Sequence, residues 1–261
     1  MIAVVGSFFD IDLTNGVRWT WTGLDNFADL AMDPAVRRSI ANTVVYCALT
    51  IIPSLVIGLG LALMVQSIAR GRRLVQLLLF LPFTANLVAM AVVFRWIFAF
   101  NGGFANQLLA FVGFGPLNFL GDEKYALATI AAVGVWRATA FAMILYLSGL
   151  TSIPTSVTEA CASDGITGWR RLRVVTLPLL RPITVFATVM LVLQSMQVFD
   201  TVNVMTQGGP LGSTETALTM TWRLGFTYFE FGQAAALSTV LILVLILFGV
   251  WRRRSLNGEN P

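Results

Sequence analysis

The stretch EACASDGITGWRRLRVVTLPLLRP, residues 159–182, decides how this chain is read. It holds two acids, four arginines, two glycines and two prolines in 24 residues, yet strongly apolar runs flank it on both sides. Of the 261 residues, 57% are hydrophobic and 11% charged, where a soluble globular domain carries about 25% charged residues. Mean hydropathy is +0.79. The chain therefore reads as an integral membrane protein, and the polar segment as a loop that such a protein keeps in water.

The flanking runs supply the spans. A helix needs roughly 20 apolar residues to cross a hydrocarbon core of about 30 Å. Five stretches qualify, at about 40–66, 74–98, 125–150, 183–205 and 233–250. MIAVVGSFF, residues 1–9, is too short to span and lacks the basic start of a secretory signal. It resembles the tail of a helix. The expected fold class is all-α integral membrane, with five full transmembrane helices plus a truncated first one. The expected division is an external N-terminal segment over 1–38, a transmembrane domain over 39–254 with a cytoplasmic loop at 151–181, and a cytoplasmic tail over 255–261.

Arginine orients the spans. Arg70, Arg72 and Arg73 follow the first, Arg170, Arg171, Arg173 and Arg181 the third, and Arg252, Arg253 and Arg254 the fifth. These ten of the seventeen basic residues share one side if the five spans alternate, and the positive-inside rule makes that side cytoplasmic. Asp10, Asp12, Asp25, Asp29 and Asp33 fall on the other side, so the N-terminus is expected outside and the C-terminus inside. Arg18, Arg37 and Arg38 oppose the assignment without outnumbering it. Trp19, Trp21, Trp96 and Trp222 fall near the outer interface and Trp169 and Trp251 near the inner one, as aromatic belts do.

Absences exclude several chemistries. The chain has no histidine, which removes a Ser-His-Asp triad, an H-E-x-x-H zinc site and a histidine-ligated haem. Lys124 is the only lysine, and the residues before it do not form a phosphate-binding loop. No ATP site, catalytic group or metal site is expected in this chain. Cys47 falls in a span and Cys161 in the polar loop, positions poorly placed for a disulfide. Each reads as a small apolar filler.

Within the loop, SIPTSVTEA places Ser156 three residues before Glu159, the spacing of a capping box. A short helix through Ser163 is expected to end at Gly165, the residue best suited to positive φ. GWRRLRVV then makes a second short helix, expected to stop at Pro178. Two short helices at an angle form a compact knob that a cytoplasmic partner can grip. A solvated loop with incidental capping is the competing reading.

Read as Glu159-Ala160-Cys161, three residues, Gly165, nine residues, then Val175-Thr176-Leu177-Pro178, the segment resembles the E-A-A loop of ABC importer permeases. That loop is written EAA, three residues, G, nine residues, I-x-LP. Cys161 replaces its second alanine and Val175 its isoleucine. NTVVYCALTIIPSLVIGLGLAL, LLLFLPFTANLVAMAVVFRWIFAFNGGFAN and QVFDTVNVMTQGGPLGSTET look like permeases of the maltose-transporter kind, which import carbohydrates and glycerol 3-phosphate. The resemblance covers about 26–253. It implies a type I ABC importer permease in a bacterial inner membrane, paired as a heterodimer with a second, related permease. Further implied partners are a cytoplasmic ATPase dimer, which binds the ATP and magnesium, and an extracytoplasmic solute-binding protein. Nucleic acid is not among them. It also implies that Glu159, Ala160, Cys161, Ser163, Asp164, Gly165, Trp169, Leu177 and Pro178 form the coupling element that docks on the ATPase.

Polar residues in the spans nominate a solute path. Charge at a bilayer centre costs roughly 2.5–3.5 kcal/mol on insertion scales, so it faces a cavity or another helix. Arg137 stands about a dozen residues into its span, as a pore residue or half of a structural ion pair. Gln194, Gln197 and Thr201 are expected on one helical face, flanked by Ser195, Asp200 and Asn203. Amides and hydroxyls suit neutral sugar hydroxyls, although interhelical hydrogen bonds use the same groups. Asp200 and Arg95 lie nearer an outer end, where snorkelling makes them cheap. Asn86, beside Pro82, is a weaker path candidate. Pro53, Pro82 and Gly134 are expected to loosen their helices. QGGPLG reads as a turn, and TETALTMTWRLGFTYFEF as an interfacial amphipathic helix, with or without a partner. An integral-membrane enzyme and a non-transporting scaffold are the alternatives to a sugar importer subunit. The first lacks clustered carboxylates and metal ligands, and the second leaves the E-A-A spacing unexplained.

Overall fold

The computed structural model describes residues 2–12 and 18–257. A short helix α1 (Ile2–Gly6) leads into an antiparallel hairpin of β1 (Phe9–Asp12) and β2 (Arg18–Trp21), in register Phe9↔Trp21. There follow α2 (Asp25–Met32), α3 (Pro34–Ser67), α4 (Arg72–Thr84), α5 (Leu87–Ile97), α6 (Phe104–Phe111) and α7 (Glu123–Ser152). The polar loop contains α8 (Thr155–Ser163), α9 (Gly168–Arg171), a π-helical turn over Leu172–Thr176, and α10 (Leu177–Leu179). The chain ends in α11 (Arg181–Met196), α12 (Asp200–Met205), α13 (Ala217–Phe226) and α14 (Phe231–Asn257). Of the expected C-terminal tail, 255–257 continue α14 and 258–261 lie outside the described residues.

The fold is built on the α3–α7 pair, the most extensive helix contact among the described residues. Both helices start from an aspartate. Asp33 Oδ1 accepts from Ala35 N at 2.7 Å ahead of Pro34, and Asp122 Oδ1 accepts from Lys124 N at 2.9 Å. Each aspartate satisfies an amide that the first turn leaves unpaired. Small residues then let the two backbones close up, the usual device where lipid offers no hydrophobic drive. A Cβ on Gly58 would lie 2.7 Å from Ala142 Cβ, and one on Gly134 would lie 2.5 Å from Tyr46 Oη. Ala62, Ala142 and Met143 are fully buried in the same core. Gly134 and Pro53 therefore do not loosen their helices. α7 and α3 run unbroken through them, and Gly134 serves close packing instead.

Among the described residues, three helices, α3, α7 and the 231–250 part of α14, are each long and apolar enough to cross a bilayer. The other two expected spans are bent. Residues 72–97 form α4 and α5 at 92° to each other, and 168–196 form a pair bent by 67°; counting each pair as one span gives five. The first bend follows Pro82 and comes where Asn86 Oδ1 accepts from Ala89 N at 3.1 Å, capping α5. A new helix start was written into an apolar run that hydropathy alone reads as continuous. Around the bundle, large side chains such as Ile52, Val56, Leu77 and Leu247 are exposed, as expected of a surface solvated by lipid.

To the all-α expectation the structure adds the hairpin. Its aromatic rings interlock, Phe8 stacking on Trp21 at 5.8 Å and Phe9 meeting Trp21 edge-on at 5.1 Å. Buried Asn26 donates to Ser7 O and Phe9 O, at 3.0 and 3.1 Å, and α1 packs along α14. α13 also differs from a helix lying only on the membrane surface. Ala217, Met220 and Leu224 are buried against α14 and α3, while Trp222 and Phe226 stay exposed.

Gly134→Val should overpack the α3–α7 contact, costing about 1–3 kcal/mol and lowering the Tm of the detergent-solubilised protein. Gly60→Val is the control, because a Cβ there meets nothing within 4 Å; it should shift stability by no more than about 0.5 kcal/mol.

Candidate functional site

Two regions gather polar residues in an otherwise apolar molecule. The first is the knob at 153–180. α8 ends with Ile166 N donating to Cys161 O at 2.8 Å and Gly165 N to Ala162 O at 3.2 Å, around Gly165 at φ +66°. That is a Schellman closure, and Gly165 supplies the left-handed residue it needs. The helix thus stops where the sequence expects. The capping box does not form, because α8 already begins at Thr155 behind Pro154 and puts Ser156 inside its first turn. Glu159 accordingly lies mid-helix and exposed, capping nothing.

Pro178 does not stop the second helix either. The chain widens into the π-turn over Leu172–Thr176, with Leu177 N bonding Leu172 O, and α10 carries Pro178 on to Leu179. A proline in a regular helix loses one hydrogen bond and clashes with the carbonyl four residues back; the wider turn relieves that clash. Glu159, Ala160, Ser163, Asp164, Gly165, Trp169, Leu177 and Pro178 all reach the surface of the knob, with Trp169 73% exposed. Cys161 is the exception, buried beside a cleft of ≈ 380 Å³ between the knob and the ends of α3 and α7. Both cysteines are free thiols.

The second region is a small pocket, ≈ 80 Å³, inside the bundle. α11 stops at Met196, residues 197–199 leave helical geometry, and α12 restarts at Asp200. The single-face expectation for Gln194, Gln197 and Thr201 fails, because no continuous helix joins them. The break nevertheless brings Gln194, Gln197, Asp200 and Thr201 to one pocket with Arg137, where Tyr46 and Thr50 of α3 join them. Unwound backbone at membrane depth persists only where protein buries it or it lines a cavity. Here Thr216 Oγ1 donates to Val198 O at 3.1 Å, satisfying part of the break. Arg137 lies over the Phe83 ring, with Cζ 5.2 Å from its centroid, while its buried Nε has no hydrogen-bond partner among the described residues. Thr50 Oγ1 is likewise buried, beside the Tyr46 hydroxyl one turn away on α3. Asn86 is not in this pocket; it is the exposed cap of α5. Tyr46 and Thr50 were not singled out from sequence, although two polar residues four apart on an apolar helix are a readable signal.

Beyond the pocket, QGGPLG forms the expected turn, and tertiary hydrogen bonds brace it. Thr214 Oγ1 donates to Gly209 O at 2.7 Å, Asn42 Nδ2 to Gly212 O at 2.9 Å, and Arg38 Nη1 to Leu211 O at 2.8 Å. Buried Glu215 pairs with Arg223 at 2.8 Å. Ala217 N donates to Thr43 Oγ1 at 2.9 Å, tying the start of α13 to α3.

Comparison with known proteins places this architecture. The family model for binding-protein-dependent transport system inner membrane components matches residues 36–255. The sulfoquinovosyl glycerol transport system permease protein of Agrobacterium fabrum is 31% identical over 238 residues, 91% of this chain and 77% of that protein. The lactose transport system permease protein of Rhizobium radiobacter is 32% identical, over 88% and 79% of the two chains. The sn-glycerol-3-phosphate transport system permease protein of Yersinia pestis is 33% identical, over 88% and 78%. A solved bacterial ABC transporter involved in the import of the acidic polysaccharide alginate superposes at a TM-score of 0.83 and 23% identity. That match covers 97% of this chain and 88% of the other.

The closure at Gly165 makes a prediction about Cys161. Gly165→Val puts a β-branched residue at φ +66°, a cost of about 1–2 kcal/mol. If the cost falls on opening of the knob, maleimide labelling of Cys161 should accelerate about tenfold. Unchanged labelling would show that the closure does not hold Cys161 inside.

Proposed function

This chain belongs to the family of binding-protein-dependent transport system inner membrane components, with the fold of a type I ABC importer permease, and from that premise we propose that it moves a sugar or sugar-like solute across the membrane. Its named relatives serve sulfoquinovosyl glycerol, lactose and glycerol 3-phosphate. The observation that carries the reading is the break at 197–199, where two amides, a hydroxyl and a carboxylate line one pocket with the Arg137 guanidinium of α7. Amide and hydroxyl groups donate and accept at once, matching the hydroxyls of a sugar. Arg137 and Asp200 add directional donors and acceptors in a place where unsatisfied polar groups are costly.

The knob is the coupling element toward a cytoplasmic ATPase dimer. Its support is the spacing from Glu159 to Pro178, the exposed Trp169, Val174 and Leu179, and the rigid turn at Gly165. A second permease completes the translocation path, and an extracytoplasmic binding protein delivers the solute. The arginine distribution orients the chain with the knob and residues 252–254 inside and residues 25–33 outside.

Two variants separate path from coupling in the assembled transporter. In the pair Gln194→Leu and Gln197→Leu, each exchange removes hydrogen bonds worth about 0.5–1.5 kcal/mol, so uptake should fall about tenfold or more while ATP hydrolysis persists. Gly165→Asp should instead leave the chain inserted and abolish transport by weakening or uncoupling the ATPase. Loss of assembly in the glutamine variant would make those amides structural, and normal transport by Gly165→Asp would reduce the knob to a connector.

Orientation has its own test. With Cys47 and Cys161 replaced, single cysteines at Asp29 and Asn257 should react with an impermeant maleimide from opposite sides of the membrane. Equal labelling of both in intact cells refutes the arrangement.

A further inference from the structure

A second basic site lies away from the pocket and the surface of the knob. Arg72, Arg73 and Gln76 on the first turns of α4 face Ser148 and Thr151 near the end of α7 across a cleft of ≈ 430 Å³. Two elements thus converge on it. None of the four donor groups of Arg72, Arg73, Gln76 and Ser148 has a hydrogen bond or ion pair to a described residue. No acid lines the cleft. Its donors and charge are therefore uncompensated, at the membrane face that also carries the knob.

The floor of the cleft is apolar, formed by Ile144 and Leu147. Arg73 and Leu77 are one helical turn apart on α4, and Leu77 belongs to an exposed stripe of Leu74, Leu77, Leu78 and Leu81. Spacings of three, four and seven residues put these leucines on one face. A cluster of cationic and hydroxyl donors over an apolar floor matches a phosphodiester headgroup with the start of its acyl chains against Ile144 and Leu147. Basic pockets between helices at the cytoplasmic face commonly hold anionic lipid. A bidentate guanidinium is also the side chain best shaped for phosphate oxygens.

We propose that the cleft between the start of α4 and the end of α7 binds the headgroup of an anionic phospholipid, such as phosphatidylglycerol, from the cytoplasmic leaflet. The solute path and the coupling role do not enter into this assignment; only the name of the leaflet rests on the orientation proposed above. The lipid would fix the start of α4, and with it the angle at which the bent α4–α5 pair meets α7.

The test is native mass spectrometry of the full-length chain after exchange with an equimolar mixture of phosphatidylglycerol, phosphatidylethanolamine and phosphatidylcholine. The unaltered chain should retain phosphatidylglycerol selectively. Arg72→Gln with Arg73→Gln should reduce that retention about 25-fold, about fivefold per arginine. Arg72→Lys with Arg73→Lys should keep most of it, and Arg70→Gln, outside the cleft, should keep all of it. Ser148→Leu attacks the opposite wall with both arginines in place and should lower retention severalfold; it decides the matter if the double glutamine variant does not fold. Excess inorganic phosphate should not displace the lipid. Equal retention by the double glutamine variant, equal loss in Arg70→Gln, or displacement by phosphate would each overturn the proposal. The same holds if Leu77→Cys crosslinks to a second permease and no lipid is retained, since the face would then belong to a subunit interface.

Discussion

Backbone amides and carbonyls inside a hydrocarbon layer have no water to bond, so each must be satisfied within the protein. This constraint organises the molecule. It makes α3, α7 and α14 long and continuous, and it makes every interruption depend on a specific replacement bond. At 84–87 the replacement is the Asn86 carboxamide, which caps α5. At 197–199 it is the Thr216 hydroxyl, reaching from eighteen residues away to Val198 O. In the knob, outside the hydrocarbon, the hydrogen bonds at 172–176 lengthen in register rather than vanish, and the chain passes Pro178 without a gap. The interruptions are where the structure stops being a generic bundle.

Two of those interruptions lie at opposite ends of one helix. α11 begins beside the knob and ends at the polar pocket; its 16 residues make a rod of about 24 Å. Where the rod starts, Leu180 is buried against Gly149 of α7, where a Cβ would sit 2.7 Å from its side chain. The pocket's far wall is tied elsewhere. α12 packs on α5, and α13 is tied to α3 through the Thr43 bond to Ala217 N. α11 thus joins the knob to the pocket and packs along the α3–α7 axis. Small residues at that axis make it the fixed frame, since tight cores have discrete arrangements rather than soft ones.

What could be read from sequence follows from how local each cause is. α3 and α7 were legible because an unbroken apolar run lies within each segment; their aspartate caps came only with the structure. The end of α8 was legible for the same reason: Gly165 alone determines it. The 92° bend was half legible, since Pro82 and Asn86 stand four residues apart and Asn86 was read as a path residue instead of a helix start. The break at 197–199 left no local mark. It contains neither glycine nor proline, and it is stabilised by a threonine whose position depends on the fold. The pocket residues Gln194, Gln197, Asp200, Thr201 and Arg137 were nonetheless found, because polarity in an apolar run is itself local. The reason given for their proximity was the part that required tertiary structure. Alternation in FDID and RWTW was short enough to be passed over within an all-helical expectation.

Arg137 shows how far energetics constrain the pocket. On insertion scales an arginine at this depth costs roughly 2.5–3.5 kcal/mol. Its guanidinium over Phe83, itself stacked on Phe141 at 5.0 Å, recovers about 0.5–2 kcal/mol. The buried Nε still has no protein acceptor, and an unmet donor costs about 1–3 kcal/mol. Asp200, in the same pocket, attracts the guanidinium and offsets part of the remainder.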